Sequence, residues 1–235
     1  KGVVACAGRN EFGQLGDGTT RDRSGFGKVE LPSAATSIAV GGTVSCALLE
    51  GGVPWCWGAT LESDEVLVAA SVPRKVALTN VVELAVGGVT VCARLADGTV
   101  RCWGANNVGQ LGDGTRIGRG APAPVAGLQG VRTIAVGGEH ACAVVAEGTV
   151  RCWGWNTNQQ LGDGTSVNRS QPVAVSGLSG VVSLGLGLQH SCAVLGDGRV
   201  ACWGRARRGQ LGNGGDLNDP SYRAESRPVF ATGMT

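Results

Sequence analysis

The residues with the most distinctive chemistry in this 235-residue chain are its nine cysteines. Eight of them fall into pairs of one spacing: Cys46 and Cys56, Cys92 and Cys102, Cys142 and Cys152, Cys192 and Cys202, each pair ten residues apart. Structural zinc draws on ligands about two to four residues apart, which no pair here offers. Redox and haem-attachment motifs need C-x-x-C, also absent. Disulfides are the expected use, with small buried thiols as the alternative. Each pair brackets a turn, with Glu147-Gly148, Asp97-Gly98 and Asp197-Gly198 at equivalent places. With Glu147 at the midpoint, Gly148 takes the left-handed position of a type I turn closed by a glycine bulge. Counting outward then sets Cys142 directly across from Cys152 in a non-hydrogen-bonded pair. The Cα separation of such a pair, about 4.5 Å, lies inside the window of roughly 4.4 to 6.8 Å that a disulfide tolerates. Four cross-strand bridges, one per hairpin, are therefore expected. With them goes an oxidising location: extracellular, cell surface or periplasmic.

The hairpins belong to a larger repeat. Counting Cys6 as the first, successive second cysteines lie 50, 46, 50 and 50 residues apart, a period typical of stacked supersecondary units. The 41 glycines and frequent valines fit many short strands joined by tight turns, and glycines interrupt almost every ten-residue window, leaving no amphipathic run of three or four turns. In the third copy, "VRTIAVGGEH", "HACAVVAEG", "GTVRCWGWN" and "SQPVAVSGL" read as four successive strands. A unit of about fifty residues with four antiparallel strands is the pattern of a propeller blade.

The segments "CWGANNVGQLGDGT", "CWGWNTNQQLGDGT" and "CWGRARRGQLGNGG", with "PVAVSGLSGVVSLGLGLQHSCAV", resemble the repeats of the regulator of chromosome condensation family, also found in bacterial β-lactamase-inhibitor propellers. The resemblance covers nearly the whole chain and implies an all-β propeller, usually a ring of seven blades. The expected organisation is one repeat domain, 1–235, divided into a partial blade (1–37) and blades at 38–80, 81–130, 131–180 and 181–235: four complete blades plus two strands of a larger ring. Cys6 occupies a second-cysteine position without an upstream partner and is expected to be unpaired or intermolecular. The start at Lys1, without a methionine or an apolar leader, reads as a processed or excised piece. Two copies depart from the pattern. "CWGATLESDEVLVAASVP" has lost the Gln-Leu-Gly-Asp-Gly-Thr loop, and "QLGNGGDLNDPSYRAESRPV" is about six residues longer than its counterparts.

Function is less legible. The net charge of +2 lacks the strongly basic balance expected for nucleic-acid binding, and no apolar run approaches the roughly 18 residues of a membrane span. The glycine-rich loops lack the lysine and helix of a phosphate-binding loop. Asp17, Asp113 and Asp163 offer one carboxylate per loop, too few for calcium, and are expected to bond turn amides. His140 and His190, beside a cysteine in equivalent positions, take packing and hydrogen-bonding roles by the resemblance. No catalytic grouping stands out, and the expectation is a non-enzyme without metal or cofactor.

Trp57, Trp103, Trp153 and Trp203 recur and are assigned to packing. Trp55 and Trp155 do not recur and are candidates for a binding surface, where aromatic anchors dominate. Strand order places the first-to-second and third-to-fourth connections on one face. That face carries an acidic sector, Glu62, Asp64 and Glu65, and a basic one, Arg205, Arg207 and Arg208, suited to electrostatic registration with a protein. The leading expectation is a secreted or surface-exposed, disulfide-stapled structural module that binds a protein or another subunit completing the ring. A carbohydrate-binding propeller and a protein inhibitor of an enzyme are the alternatives. The excess of arginine over lysine points to a GC-rich bacterial source.

Overall fold

The computed structural model describes residues 2–61, 67–219 and 223–233. Two strands, β1 (Ala5–Gly8) and β2 (Arg23–Lys28), form a two-stranded sheet. Four four-stranded antiparallel sheets follow, each made of strands consecutive in sequence. The first blade holds β3 (Ala35–Val40), β4 (Val44–Leu49), β5 (Val53–Leu61) and β6 (Leu67–Lys75). The second holds β7 (Val81–Gly87), β8 (Thr90–Leu95), β9 (Val100–Gly104) and β10 (Arg119–Pro124). The third holds β11 (Thr133–Val136), β12 (His140–Val144), β13 (Val150–Gly154) and β14 (Arg169–Ala174). The fourth holds β15 (Val181–Leu186), β16 (His190–Leu195), β17 (Val200–Arg205) and β18 (Ala224–Phe230). These are propeller blades. β3 begins at Ala35, inside the segment that the repeat arithmetic assigned to the partial unit.

Register places every cysteine pair face to face, Cys46↔Cys56, Cys92↔Cys102, Cys142↔Cys152 and Cys192↔Cys202. All four are bridged, with Cα separations of 4.1 to 4.2 Å. The hairpin ends differ in one detail. Gly98 and Gly198 are the left-handed residues of their turns, whereas in the third blade Glu147 (φ 59°) and Gly148 (φ 69°) are both left-handed. The first blade has Gly51 (φ 82°) and Gly52 (φ 71°) there. Asp97 closes its own turn by accepting from the amide and hydroxyl of Thr99; in the third blade the Thr149 hydroxyl donates instead to the Ala146 carbonyl.

The inner strands β3, β7, β11 and β15 approach one another in sequence order. They come together at the Gly-Gly turns. A Cβ added to Gly87 would fall 1.9 Å from the carbonyl oxygen of Gly137, and one on Gly137 would fall 2.5 Å from that of Gly187. Only glycine allows this approach. β4, enclosed by neighbouring sheets, is buried at all six positions, and separate apolar clusters fill the spaces between successive blades.

Three of the four recurrent tryptophans, Trp57, Trp153 and Trp203, lock these seams. In the Gln-Leu-Gly loops, Asn106 and Asn156 hold the turn: Oδ1 accepts the Leu111 or Leu161 amide, and Nδ2 donates to Asp113 or Asp163 and to Thr115 or Thr165. Asn10 does the same for the loop at Leu15. The aspartates in turn accept from the threonine two residues on and pair with Arg23, Arg119 and Arg169. The loops so fixed reach into the next blade. Trp57 Nε1 donates to the Gln14 carbonyl at 2.9 Å, Trp153 Nε1 to Gln110 at 3.0 Å and Trp203 Nε1 to Gln160 at 2.8 Å. Leu111 and Leu161 fill the spaces beside the Trp153 and Trp203 rings, and Leu15 is likewise buried.

Candidate partner-binding site

The first-to-second turns and the segments after each third strand do share one end of the blades. Trp155 N–H donates to the Glu139 carbonyl, Arg205 N–H to Gln189, Ala105 N–H to Val89 and Ala59 N–H to Thr43. Each bond joins the residue after the Cys-Trp-Gly glycine to the first-to-second turn of its own blade, so all four connections face the same way.

At the junction of the third and fourth blades this end carries a cleft of about 640 Å³. Trp155, half-buried, lines it with Thr157, Asn158 and Gln159 from the third blade. Gln189, Arg205, Arg207 and Arg223 line it from the fourth. The Arg205 guanidinium donates to Gln189 Oε1, which holds it in place, while Arg207 and Arg223 are exposed. No acidic side chain lines the cleft among the described residues. An aromatic face beside guanidinium groups is suited to a carboxylate-bearing segment: arginine's fork matches carboxylate geometry, and the indole supplies apolar area.

The structure thus joins Trp155, Arg205 and Arg207, which sequence reasoning had placed on one face. Arg208 lies beside them on the exposed loop, its amide donating to Gln210 Oε1, and does not line the cleft. Trp55 sits elsewhere: it packs in the cluster of Val4, Val29, Leu49 and Trp57 beneath the two-stranded sheet. Glu62, Asp64 and Glu65 lie outside the described residues. Arg223 and Gln189 are the additions. Arg223 lies in the lengthened segment of the fourth blade, whose extra length was the visible signal. Gln189 occupies the turn position that holds Glu139 one repeat earlier.

Other candidate chemistry resolves into structure. His140 is wholly buried, its Nε2 2.8 Å from Ser191 Oγ. Because Ser191 Oγ itself donates to the Gln160 carbonyl, Nε2 carries the proton and the ring is neutral. Burial, with a lesser push from His190, lowers its pKa from 6.5 to about 3. Asp163 is held below its usual range despite the opposing effect of burial, by bonds from Thr165, Arg169 and Asn156. Cys6, across from Gly27 on β2, is the free cysteine, and burial raises its pKa, with Asp17 adding to the effect. Among the described residues no three His, Cys, Asp or Glu side chains gather as a metal site, and no helix is long and apolar enough to cross a membrane.

Blades of four antiparallel strands, latched by a tryptophan to the loop of the preceding blade, define a repeat protein of the β-propeller class. Models of the regulator of chromosome condensation (RCC1) repeat match residues 81–110, 131–160, 181–210 and, in a second form, 97–144 and 147–194, together a continuous 81–210. The chain belongs to the RCC1 repeat family. No curated protein matches it by sequence. Among solved structures it is similar to yeast RCC1 (Prp20) bound to Kap60, at 25% identity and a TM-score of 0.85 over 99% of this chain and 60% of that one. A second structure, of Prp20p from Saccharomyces cerevisiae, described with its binding to Gsp1p and histones, is 24% identical, with a TM-score of 0.84 over 99% of this chain and 61% of that one. Human WBSCR16 is 24% identical, with a TM-score of 0.81 over 96% of this chain and 61% of that one. The chain spans about three fifths of the length of each.

Proposed function

We propose that this chain is a protein-interaction module that engages an acidic segment of its partner at the cleft between its third and fourth blades. The supporting observation is the convergence of Trp155 with Arg205, Arg207 and Arg223 around one 640 Å³ opening. Yeast RCC1 (Prp20) is described bound to Kap60 and with binding to Gsp1p and histones, which favours protein recognition over chemistry on a small substrate. Four disulfides favour a secreted, surface or periplasmic protein, since such bridges persist in oxidising compartments.

The same reading has a further segment or subunit completing the ring. Val182, Leu188, Val194 and Phe230 on the fourth blade are 38 to 76% exposed, and Phe26 on the two-stranded sheet is 81% exposed, the apolar surface that an added blade would cover. Affinity purification from the native source, with wild-type protein and Arg205→Glu/Arg207→Glu side by side, tests the cleft. Retention of a protein by the wild type at low salt, lost in the variant, supports the reading. Equal retention by both removes the cleft from it. Binding to a glycan array with no protein retained would replace it by carbohydrate recognition.

A further inference from the structure

One seam lacks its latch. In the first blade the Gln-Leu-Gly-Asp-Gly-Thr loop is missing, and β5 and β6 instead run on as a long hairpin, paired as far as Leu61↔Leu67. At the other three seams the loop makes a fixed set of contacts with the next blade. Its glutamine carbonyl accepts from the tryptophan Nε1. Its leucine is buried beside the ring. Its last glycine donates an amide to a serine carbonyl on the outer strand: Gly18 to Ser71, Gly114 to Ser170 and Gly164 to Ser226, at 2.9 to 3.0 Å. The backbone around these contacts is tight. Gly109 packs against Ser170, Gly112 against the Trp153 ring and Val125, and the Gln110 Cα against Gly154.

The residues of the second blade at these positions are Trp103, Gly104 and Gly120, and Val76 of the first blade matches Val125. All four line a cavity of about 280 Å³, walled further by Val44, Val89 and Pro122. Trp103 is 7% exposed, and among the described residues its Nε1 makes no hydrogen bond like those of Trp57, Trp153 and Trp203. Among the described residues no loop amide donates to the Gly120 carbonyl. This seam therefore holds a hole, lined by apolar side chains together with Thr60, Arg74 and Lys75, beside an indole N–H that no protein group accepts among the described residues, where each neighbouring seam holds a plug.

We infer that this cavity is a peptide-binding site whose occupant is a segment of a partner polypeptide presenting a branched aliphatic side chain flanked by a backbone carbonyl and, a few residues on, a small residue with a free amide. The carbonyl accepts from Trp103 Nε1, the side chain fills the hole beside Val76, and the amide donates to Gly120. The chain itself shows the geometry three times over, with the plug supplied in cis. This site is separate from the arginine-lined cleft and stands without it.

The test uses the acetylated, amidated heptapeptide Gly-Gln-Leu-Gly-Asp-Gly-Thr, the sequence of residues 109–115, titrated into the intact, oxidised, ¹⁵N-labelled protein. The Trp103 indole resonance, assigned by Trp103→Phe, is expected to shift saturably while those of Trp57, Trp153 and Trp203 stay fixed. A peptide with alanine for leucine should bind at least about tenfold more weakly, as expected for losing most of a buried aliphatic side chain. Grafting the whole second-blade loop, the sequence of residues 105–118, into the first blade in place of residues 59–69 should abolish peptide binding and raise the midpoint of thermal unfolding. Absence of any Trp103 shift at millimolar peptide would overturn the inference. So would binding that appears only after residues 62–66 are replaced by glycine and serine, because the occupant would then be the chain's own segment. Equal shifts at all four indoles would also overturn it, showing displacement of existing plugs or non-specific contact.

Discussion

Trp203 and Gln160 lie 43 residues apart in sequence, yet the indole N–H of one meets the backbone carbonyl of the other at 2.8 Å, across the seam between two blades. Trp153 and Gln110 repeat the relationship with the same separation. The third and fourth blades are thereby fastened to their predecessors through a main-chain atom, with an asparagine behind it fixing the loop that offers that atom.

Trp153→Phe keeps the ring's apolar body and removes the donor, leaving the buried Gln110 carbonyl unsatisfied. A loss of about 1 to 3 kcal/mol is expected in urea unfolding. Trp103→Phe gives up no such bond in the unliganded chain and should cost clearly less. Equal losses at the two positions would argue against the latch.

Glu147 adopts a left-handed conformation at a position where the first blade has Gly51, and such a backbone in a non-glycine residue is strained by about 1 kcal/mol. Glu147→Gly is therefore expected to raise the unfolding midpoint. Glu50→Gly, in the matching hairpin but one residue earlier, serves as a control without that relief.

Stability should fall as the pH drops below about 6.5, and His140 sets the sign. Its pKa is about 3 in the fold and near 6.5 in the unfolded chain. Between those values the unfolded chain takes up a proton that the folded one refuses, at a cost of roughly 1 kcal/mol per pH unit. Above pH 6.5 both states are neutral and the contribution is flat. His190, also lowered by burial, adds in the same direction. Denaturation profiles between pH 7 and 4.5 should lose His140's share of the slope in His140→Gln.

Alkylation without reductant, followed by intact-mass and peptide mapping, should find eight of nine cysteines blocked as the four within-blade pairs. The remaining thiol is Cys6, and because burial raises its pKa it should react slowly at neutral pH in the folded protein and quickly once unfolded. Peptides joining different blades would contradict the register.

The sequence carried the parts of this structure that depend on local spacing. Ten residues around a glycine turn fix which cysteines face each other, because strand side chains alternate with a period of two. The same parity places Trp55 with Trp57, on the packed side of β5. That signal was available, and the non-recurrence of Trp55 obscured it. The latch was not legible, since its acceptor is a backbone carbonyl that carries no mark of residue type. Equivalent repeat positions put Trp155 and Arg205 on one face, but their junction in a single cleft with Arg223 depends on how two successive blades pack side by side, which no local spacing encodes. The four-residue deletion in the first blade was plain, whereas its consequence, a Trp103 without the latch bond, required the neighbouring seams for comparison.

The central claim is that partner recognition is localised to the arginine-lined cleft. A photo-crosslinking residue placed at exposed Thr157, on the cleft rim, and separately at exposed Asp197, in the hairpin at the opposite end of the fourth blade, measures it directly in extracts of the native source. The account predicts crosslinks from position 157 that map to an acidic protein segment, weaken with salt as an electrostatically steered contact should, and vanish in Arg205→Glu/Arg207→Glu. Crosslinks from 157 no richer than those from 197, or unchanged by the charge reversal, would contradict it.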